Sequence, residues 1–414
     1  MKIGILTDLD RWNDSYSLCH VVRAQVKMLE RHGHEITIFL SETASQEFPF
    51  GCNMKSEIPR FSGTFFAEPE DIDHEDMELA GNLASRMVTM LAGFDVVFSH
   101  DWIFNSRKLP LAEALRLSSE ATRETPFFHW IHSVPTSGYT WWDLQRYGSN
   151  HQIVYPSSTD AHLVARVFRT SPDRVIPVPH VVDLRIMFGF GKTSTAIIDR
   201  FPGLMRADFV QVYPAAADRL WCKGVQHLIR TFGKLKRYGS VSLLIVDSWS
   251  GGGKAREGLE KYRTMALEEG LTEQECAFAS ELLPETEFCG IPHRELMELM
   301  LLSSVAVAPS IGESFGLVIA EACLAGAAIP VLNSSWSQSW EIIQGEWCIR
   351  RAFPSAELGK ENLVPDYENI ARSFASVAQQ DEAWTARRFA RQAYNMDNVY
   401  NSHYKPLFQR IEKA

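Results

Sequence analysis

The chain has few cysteines, and their arrangement excludes two kinds of site. Seven cysteines are scattered between Cys19 and Cys348, an odd number without a C-x-x-C pair. A disulfide framework would need an even set, and a structural zinc site would need closely paired cysteines. We therefore expect neither, and the cysteine usage predicts a protein of the reducing cytoplasm.

Long hydrophobic runs are also missing. No stretch of the 414 residues approaches the roughly 20 apolar residues that cross a bilayer, and no basic amphipathic helix suits a membrane surface. The first residues, "MKIGILTDLD", begin with a strand-like run and show no charged leader, apolar core or small-residue cleavage site. These features predict that the protein has no integral membrane segment and is not exported.

The sequence has no excess of positive charge. Its 41 Lys and Arg residues are outnumbered by 51 Asp and Glu residues, which gives a formal net charge of -10. This balance disfavours a broad basic surface for nucleic acid or anionic lipid, although a local basic patch would be compatible with it. Neither a repeat with a period of 20 to 50 residues nor a low-complexity tract is present, so solenoid architectures are not expected.

The first half of the chain alternates short β-rich runs with helix-length amphipathic segments. It opens with "KIGIL", "SLCHVVRAQVKMLERHG" and "HEITIFL", which predict a strand, a helix ending at Gly33 and a second strand. The runs "FDVVFSHD", "TPFFHWIHS", "HQIVYPS" and "DRVIPVPHVVD" continue the pattern. Such alternation predicts a parallel sheet with helices on both faces, and residues 42–78 are interpreted as a solvated acidic loop.

The alternation stops and then restarts in the second half. Residues 184–207 mix Gly, Thr and Pro without a period and are interpreted as a linker. From "DFVQVYP" onward, strands and helices alternate again. The length and this pattern predict two doubly wound domains in series, residues 1–183 and 208–395. Ligands of such sheets bind beyond the carboxyl ends of the strands, so we expect the site in a cleft between the two domains.

The second half resembles a known enzyme family. "TEFCGIPHRELMELMLLSSVAVAPSIGESFGLVIAEACLAGAAIPVLNS" contains a strand ending at Gly290, a strand ending at Pro309 and Ser310, and two glutamates in an E-x7-E pair. Upstream, "YPAAADRLWCKGVQHLIRTFGKLK" is similar to the family's Arg and Lys-Gly segment, and "FFHWIHS" to a strand that ends in its histidine. These motifs, in this order, resemble the retaining glycosyltransferases of family 4 (glycosyl transferases group 1).

The resemblance implies a fold and a domain plan. The fold would be α/β, of the GT-B type, with two Rossmann-like doubly wound domains facing each other across a cleft. Residues 1–183 would form the acceptor-side domain, 184–207 a linker and 208–395 the donor domain. Residues 396–414 resemble the last helix of the fold, which crosses back to the first domain.

The resemblance also implies a reaction. A hexose would move, with retention, from a nucleotide diphosphate sugar of the UDP-glucose or GDP-mannose type to a hydroxyl acceptor such as a soluble glycoside, a metabolite or a glycan. No cofactor besides this co-substrate is implied. Two alternatives stay open: an enzyme that glucosylates a hydroxymethylated pyrimidine in DNA, and a sugar-nucleotide-binding protein that has lost transfer.

The leaving diphosphate needs positive charge, and one loop offers it. As the anomeric bond breaks, negative charge grows on the phosphate, which fixed cations stabilise. Arg219 presents a planar fork for phosphate oxygens and Lys223 a point charge, although both residues could simply be soluble loop residues. In the second half of the chain no Asp-x-Asp pair follows a strand, so we expect no metal to be required.

The stretch "GESFGLVIAE" predicts the donor contacts. Gly312 and Gly316 let a ligand approach, and Ser314, Phe315 and Leu317 complete the loop and the start of the helix. The resemblance implies that Glu313 accepts hydrogen bonds from the donor sugar and that Glu321 binds the ribose. Capping and surface charge are the alternative roles for the two carboxylates.

In the first half, the resemblance implies a role for His132, which would stabilise the positive charge that develops in the transition state. His129 is its rival, but three positions of separation on a strand place the two on opposite faces. Asp101 in "FSHDW" ends another strand at the same edge, where it could contact the acceptor or be structural.

Three further side chains are candidates on the acceptor side. Ser15 and Ser17 follow the first strand in "DLDRWNDSYS", a loop without glycine, so they would act through their side chains. Trp141 in "TSGYTWWDLQRYG" would stack on a sugar or pack against the second domain.

Overall fold

The computed structural model describes residues 1–44, 48–134, 138–247, 255–283, 290–312, 316–327, 329–333, 349–351, 353–354 and 362–412. The chain divides into two compact units. The first unit comprises Met1–Asp183 together with Met396–Ala414, and the second comprises Leu184–Asn395.

The first unit is built on a seven-stranded sheet. Its neighbouring strands all pair in parallel, in the order β3-β2-β1-β4-β5-β6-β7. The strands are β1 Lys2–Leu6, β2 Glu35–Ser41, β3 Asn53–Ile58, β4 Val96–His100, β5 Phe127–Trp130, β6 His151–Tyr155 and β7 Val175–Pro177.

The second unit contains six described strands in two three-stranded sheets. Their orders are β10-β9-β8 and β11-β12-β13, and all pairs are parallel. The strands are β8 Phe209–Pro214, β9 Val241–Val246, β10 Cys276–Phe278, β11 Val305–Ala308, β12 Ile329–Asn333 and β13 Ile349–Arg351.

Helices follow most of the strands. Those of the first unit are α1 Ser17–Arg31, α2 His74–Met90, α3 Leu109–Ser118 and α4 Ala161–Val167. The second unit carries α5 Leu184–Met187, α6 Lys192–Arg200, α7 Gly203–Arg206, α8 Val225–Leu235, α9 Ala255–Glu268, α10 Ala279–Leu282, α11 His293–Met300, α12 Leu317–Leu324, α13 Tyr367–Gln380 and α14 Glu382–Tyr394. The chain ends on the first unit with α15 Met396–Val399, a π-helical turn Tyr400–Tyr404 and α16 Lys405–Ile411.

A glutamine side chain joins the two sheets of the second unit. Gln211 on β8 donates from Nε2 to the carbonyl of Val307 on β11 (2.8 Å), and the Val307 amide donates to Gln211 Oε1 (3.0 Å). Across this bridge the strand order is β10-β9-β8-β11-β12-β13. Counted from β8, this is the 3-2-1-4-5-6 order of the Rossmann fold, and the first six strands of the first unit follow the same order.

The predicted α/β class, with two Rossmann-like doubly wound domains, is therefore confirmed. The first helix shows why the sequence pattern succeeds. Its apolar residues recur every three or four positions, so Leu18, Val22, Val26 and Leu29 are all buried on one face. Gly33 follows with φ +80°, a conformation that suits the turn into β2 because glycine has no Cβ. Within the described residues, no helix has both the length and the apolar character needed to cross a membrane.

Two interpretations of irregular segments were wrong. The segment 184–207 is not a linker, because it folds into α5, α6 and α7 of the second unit, where Ile197, Phe201 and Leu204 are fully or almost fully buried. Glycine and proline separate these short helices, so no helical period persists along the sequence. The segment 42–78 includes β3, an edge strand whose side chains are mostly exposed and therefore polar.

The strand predicted to end at Gly290, "TEFCG", spans residues 286–290, of which 286–289 lie outside the described residues.

Candidate active site

In the second unit, the sequence-predicted cations lie where the strand order reverses. β8 and β11 neighbour each other at the centre of the sheet order, and chain connections leave them in opposite directions. Ligands of doubly wound sheets bind outside the carboxyl ends of the strands at such a reversal. The loop after β8 carries Arg219 and Lys223, and the loop after β11 begins at Pro309.

Hydrogen bonds hold these two loops together. Tyr213 Oη donates to the carbonyl of Lys223 (2.9 Å) and lies 3.2 Å from Ser310 Oγ. The amide of Ile311 donates to the carbonyl of Cys222 (2.9 Å). We call residues 215–224 and 309–312 the paired loops, since neither can move far without breaking these bonds.

Gly224 makes the close approach of the paired loops possible. Its φ is +72°, and a Cβ at this position would lie 2.5 Å from the carbonyl oxygen of Pro309. A side chain would therefore separate the loops as well as strain the backbone. Packing of the two loops therefore explains why a glycine follows Lys223, whether or not the pair also contacts a ligand.

The two cations differ in exposure. Arg219 is exposed and ends a short 3-10 turn, Ala217–Arg219. Among the described residues its guanidinium forms no ion pair, so it is available to an anion. Lys223 is half-buried four positions later, at the point where Tyr213 holds its backbone.

Two helices begin at this edge of the sheet. α8 starts after Gly224 and α12 after Gly316, whose φ is +85°. Neither glycine has a side chain to cap the helix. The Val225 and His227 amides of α8 already donate to the carbonyls of Leu220 and Gly224, and the Ile319 amide of α12 donates to that of Gly316. What each helix start offers an anion is therefore the positive end of its dipole. Leu317 is exposed, and no atom of the described residues lies within 4 Å of a Cβ added at Gly312.

Glu321 lies one turn inside α12. Its Oε1 is 3.2 Å from Nε2 of His293, the first residue of α11, and its side chain is 25% exposed. Although Glu321 lies within the apolar stretch "LVIAEACLAG", its carboxylate is neither fully buried nor unpaired. Glu313, Ser314 and Phe315 lie outside the described residues.

The carboxyl edge of the first unit has a different chemistry. The amide of His132, two residues beyond β5, donates to Asp101 Oδ1 (2.9 Å). Asp101 directly follows β4 with φ +58°, a left-handed conformation that aspartate tolerates better than most residues. Burial raises the pKa of the Asp101 carboxyl, and the hydrogen bond from His132 opposes that shift. Asp101 therefore anchors the backbone that carries His132.

The structure separates the two rival histidines. His132 Nε2 lies 2.8 Å from His100 Nδ1, and its Nδ1 lies 3.4 Å from His180 Nε2. His129 is 1% exposed and bonds to Ser99 Oγ (2.7 Å) and His151 Nδ1 (2.9 Å). His129 is therefore buried within the sheet, and His132 is the one of the two that lies at its carboxyl edge.

A buried lysine, which the sequence did not single out, completes the first unit's edge. Lys108 Nζ lies 2.7 Å from Asp8 Oδ1. Burial alone would lower the pKa of Lys108, but the Asp8 carboxylate more than offsets it, so the pKa is raised. Both residues line a cavity of about 120 Å³ together with Arg60 and Arg107.

Of the three other acceptor-side candidates, one is wrong. Ser15 and Ser17 are exposed at the start of α1, and the Ser15 amide donates to Asn13 Oδ1 (2.9 Å). Trp141 is 1% exposed and belongs to the hydrophobic core of the first unit. It has no free face for a sugar, because its large apolar ring is more stable in the core.

Sequence reasoning missed several residues near these edges, and two of them follow a recognisable sequence pattern. His100 and His180 each lie at or just beyond the end of a short β-rich run, as His132 does. In a parallel sheet such positions converge on one edge, so three histidines in this pattern could have been grouped from sequence. His293 and Gln25 lie on helices, and the sequence offers no comparable signal for them.

A family model matches the part of the chain that contains the paired loops. The model is described as Glycosyl transferases group 1, and it matches residues 212–343. The match begins on β8 and includes Arg219, Lys223, Glu313 and Glu321. The protein is therefore a glycosyltransferase, as the sequence predicts. No curated relative matches the chain.

Solved structures align with nearly the whole chain at low identity. A glycosyltransferase from Rickettsia africae ESF-5 is 12% identical over 100% of this chain and 98% of its own, with a TM-score of 0.40. Anabaena Alr3699/HepE in complex with UDP is 15% identical over 99% and 100%, with a TM-score of 0.33. The E. coli trehalose-6-phosphate structure with UDP-2-fluoro glucose is 11% identical over 100% and 99%, with a TM-score of 0.34.

Proposed function

We propose that the protein is a retaining, metal-independent glycosyltransferase that moves a hexose from a nucleotide diphosphate sugar, of the UDP-glucose or GDP-mannose type, to a hydroxyl acceptor. The observation that carries the proposal is the pair of loops at the edge of the second unit. They bring Arg219 and Lys223 to the same edge as the first turns of α8 and α12. Two cations and two helix N-termini are suited to a diphosphate.

In this proposal the charge on the leaving group is stabilised without a metal ion. Arg219 binds the phosphate oxygens with its fork, and Lys223 adds a second positive charge as the anomeric bond breaks. Glu321 accepts hydrogen bonds from the ribose, exchanging its contact with His293 for the ligand. Glu313 binds the hydroxyls of the donor sugar, and Gly312, Gly316 and Leu317 border the donor.

The first unit is proposed to serve the acceptor. Asp101, Ser15 and Ser17 are its candidate contacts, and His132 supports the positive character of the transition state. Support comes from the edge on which these residues lie, because ligands of such sheets bind beyond the carboxyl ends of the strands.

A panel of UDP-, GDP- and ADP-sugars tests the proposal. One of them should raise the melting temperature and should release nucleotide slowly by hydrolysis, and this release should continue in EDTA. With an acceptor in hand, the anomeric configuration of the product, read by NMR, should match that of the donor. If no nucleotide sugar shifts the protein or is hydrolysed, the proposal fails, and loss of turnover in EDTA would contradict metal independence.

Two variants separate the roles of the glutamates. Glu313→Ala should abolish transfer and leave nucleotide binding largely intact, because Glu313 would hold the sugar. Glu321→Ala should weaken nucleotide binding first, because Glu321 would hold the ribose. Titrating each variant with the free nucleotide and measuring its turnover distinguishes them, and the opposite pattern would reverse the assignment.

A further inference from the structure

A continuous hydrogen-bonded chain runs from His132 into the C-terminal segment. His180 Nε2 lies 3.4 Å from His132 Nδ1, and His132 Nε2 lies 2.8 Å from His100 Nδ1. His100 Nε2 lies 3.0 Å from Gln25 Oε1, and Gln25 Nε2 donates to Tyr404 Oη at 2.8 Å. We call these five residues the histidine relay.

The relay is largely removed from water. His100, Gln25 and Tyr404 are at most 3% exposed, and the rings of His100 and His132 stack with centroids 5.1 Å apart. Burial lowers the pKa of His132 to about 3, with His180 and Lys108 adding to the shift, and burial also lowers the pKa values of His100 and His180. All three imidazoles are therefore neutral near pH 7, and each has one N–H group and one acceptor nitrogen.

The orientation of Gln25 determines which nitrogen carries the proton in each ring. Because its amide nitrogen donates to Tyr404, its oxygen must accept a hydrogen bond from the Nε2–H group of His100. A neutral His100 then has a lone pair on Nδ1, which accepts from His132 Nε2. A neutral His132 in turn has its lone pair on Nδ1, the nitrogen with the long contact to His180.

We propose that Gln25, Tyr404 and His100 are positioning residues that hold His132 in one tautomer, with the proton on Nε2 and a lone pair on Nδ1. This inference rests on the proposed role of His132 in transfer. In this tautomer His132 Nδ1 accepts and cannot donate: its partner in this structure is His180 Nε2, and a substrate hydroxyl that displaces this 3.4 Å contact would donate to the same lone pair.

The backbone around Tyr404 supports the proposal independently. Tyr404 ends a π-helical turn, Tyr400–Tyr404, and such turns are rare and frequently occur at functional sites. Tyr400 in the same turn bonds to His34 Nε2 (2.8 Å), outside the relay. The turn therefore supplies a test residue and a matched control.

Long-range ¹H–¹⁵N correlation spectra of the ¹⁵N-histidine-labelled protein read the tautomers directly, without substrate. At pH 7, His132 should be protonated on Nε2, and the signal is assigned with His132→Gln. Gln25→Leu removes the acceptor for His100 Nε2–H, so the Nδ1-protonated form of His132 should appear. Turnover should fall roughly tenfold, as when a histidine loses its orienting partner, with KM for the nucleotide sugar within about twofold.

Tyr404→Phe should shift the tautomer in the same direction, and Tyr400→Phe should leave both tautomer and turnover unchanged. Gln25→Met also removes the acceptor for His100 Nε2–H, with a side chain of nearly the same length, so it should shift the His132 tautomer as Gln25→Leu does. It also serves if Gln25→Leu does not fold.

Two spectroscopic results would overturn the proposal: a His132 protonated on Nδ1 in the wild type, or an unchanged His132 tautomer in both Gln25→Leu and Tyr404→Phe. Turnover equal to wild type in a variant with a shifted tautomer would also overturn it. A protein with the expected tautomers but no turnover of any nucleotide sugar would refute the proposed function and leave the tautomer assignment standing.

Discussion

The two units share a strand order but carry opposite chemistry at their carboxyl edges. In the second unit the edge presents an exposed cation, Arg219, and two helix N-termini that follow left-handed glycines. In the first unit the edge presents neutral histidines around His132 and a lysine whose charge is matched by Asp8. The second unit's edge thus presents an exposed cation, whereas the first unit's edge combines neutral histidines with charged residues of both signs.

In the proposed function, this difference would let one architecture serve both substrates of a transfer reaction. The sheet order determines where a ligand binds, and the side chains at the strand ends determine what kind of ligand it is. A nucleotide diphosphate sugar suits the edge of the second unit, and a hydroxyl acceptor suits that of the first.

Arg219→Ala should have the largest effect. Removing this cation from the diphosphate should lower kcat/KM for the nucleotide sugar by roughly 10² to 10³, as loss of a preorganised charge-stabilising donor does. Initial rates of nucleotide release measure the effect. Arg237→Ala is the matched control, because Arg237 is exposed in the same unit and pairs with Glu368. An Arg219→Ala rate within about threefold of wild type would contradict the assigned role.

Gly224→Ala should separate the paired loops. A left-handed alanine costs about 1 kcal/mol, and the Cβ contact with the Pro309 carbonyl should add about 1 to 3 kcal/mol, with loss of nucleotide binding. Gly270→Ala is the control, since Gly270 has φ +79° and no atom within 4 Å of its Cβ. Urea unfolding measures the free energy of unfolding of both variants, and the difference between them gives the cost of the contact between the new Cβ and the Pro309 carbonyl. An equal loss of free energy in both variants would show that the loops do not need to touch.

Acid should destabilise the first unit before the second. Burial lowers the pKa of His129 to about 3, so the unfolded chain binds more protons below pH 6.5 and stability is lost as the pH falls from there. At about pH 5 this one residue costs about 2 kcal/mol. Buried His100 and His151 and partly buried His132 in the first unit also have lowered pKa values.

In the second unit His227 has the same property, with a pKa lowered to about 4. Hydrogen exchange at pH 7 and pH 5, corrected for intrinsic rates, compares the two units within one sample. Equal loss of protection in both units would contradict the difference between them.

His293→Ala should have the smallest effect. The His293 side chain is 71% exposed, so removing its contact with Glu321 should change the melting temperature little. Because Glu321 would no longer exchange one partner for another, nucleotide affinity should stay equal or rise a few-fold, as calorimetric titration can measure. A marked loss of affinity would assign His293 itself to the nucleotide.

The sequence predicted most of the architecture, because strands buried on both faces alternate clearly with amphipathic helices such as α1. It failed at α5 to α7, where glycine and proline interrupt helices too short to show a period, and at β3, whose exposed side chains are polar. In both places the tertiary contacts, and not the local pattern, stabilise the element.

For the site, sequence placed Arg219 and Lys223 on the correct loop because the motif is local. It could not show that Tyr213 and Gly224 bring this loop against Pro309, since those contacts span almost a hundred positions. It also misjudged Trp141, because an aromatic residue beside glycine and threonine reads equally well as a surface or a core residue. The relay partner Gln25 is 75 positions from His100, so only the fold brings them together.

Hydrogen exchange with and without UDP, GDP and ADP tests the central claim most directly, because it shows which unit binds the nucleotide diphosphate. One of these nucleotides should protect the paired loops and the first turns of α8 and α12, while the strand ends around His132 exchange as before. Protection confined to the first unit, or none with any of the three nucleotides at saturating concentration, would contradict the assignment of the paired loops as the diphosphate site.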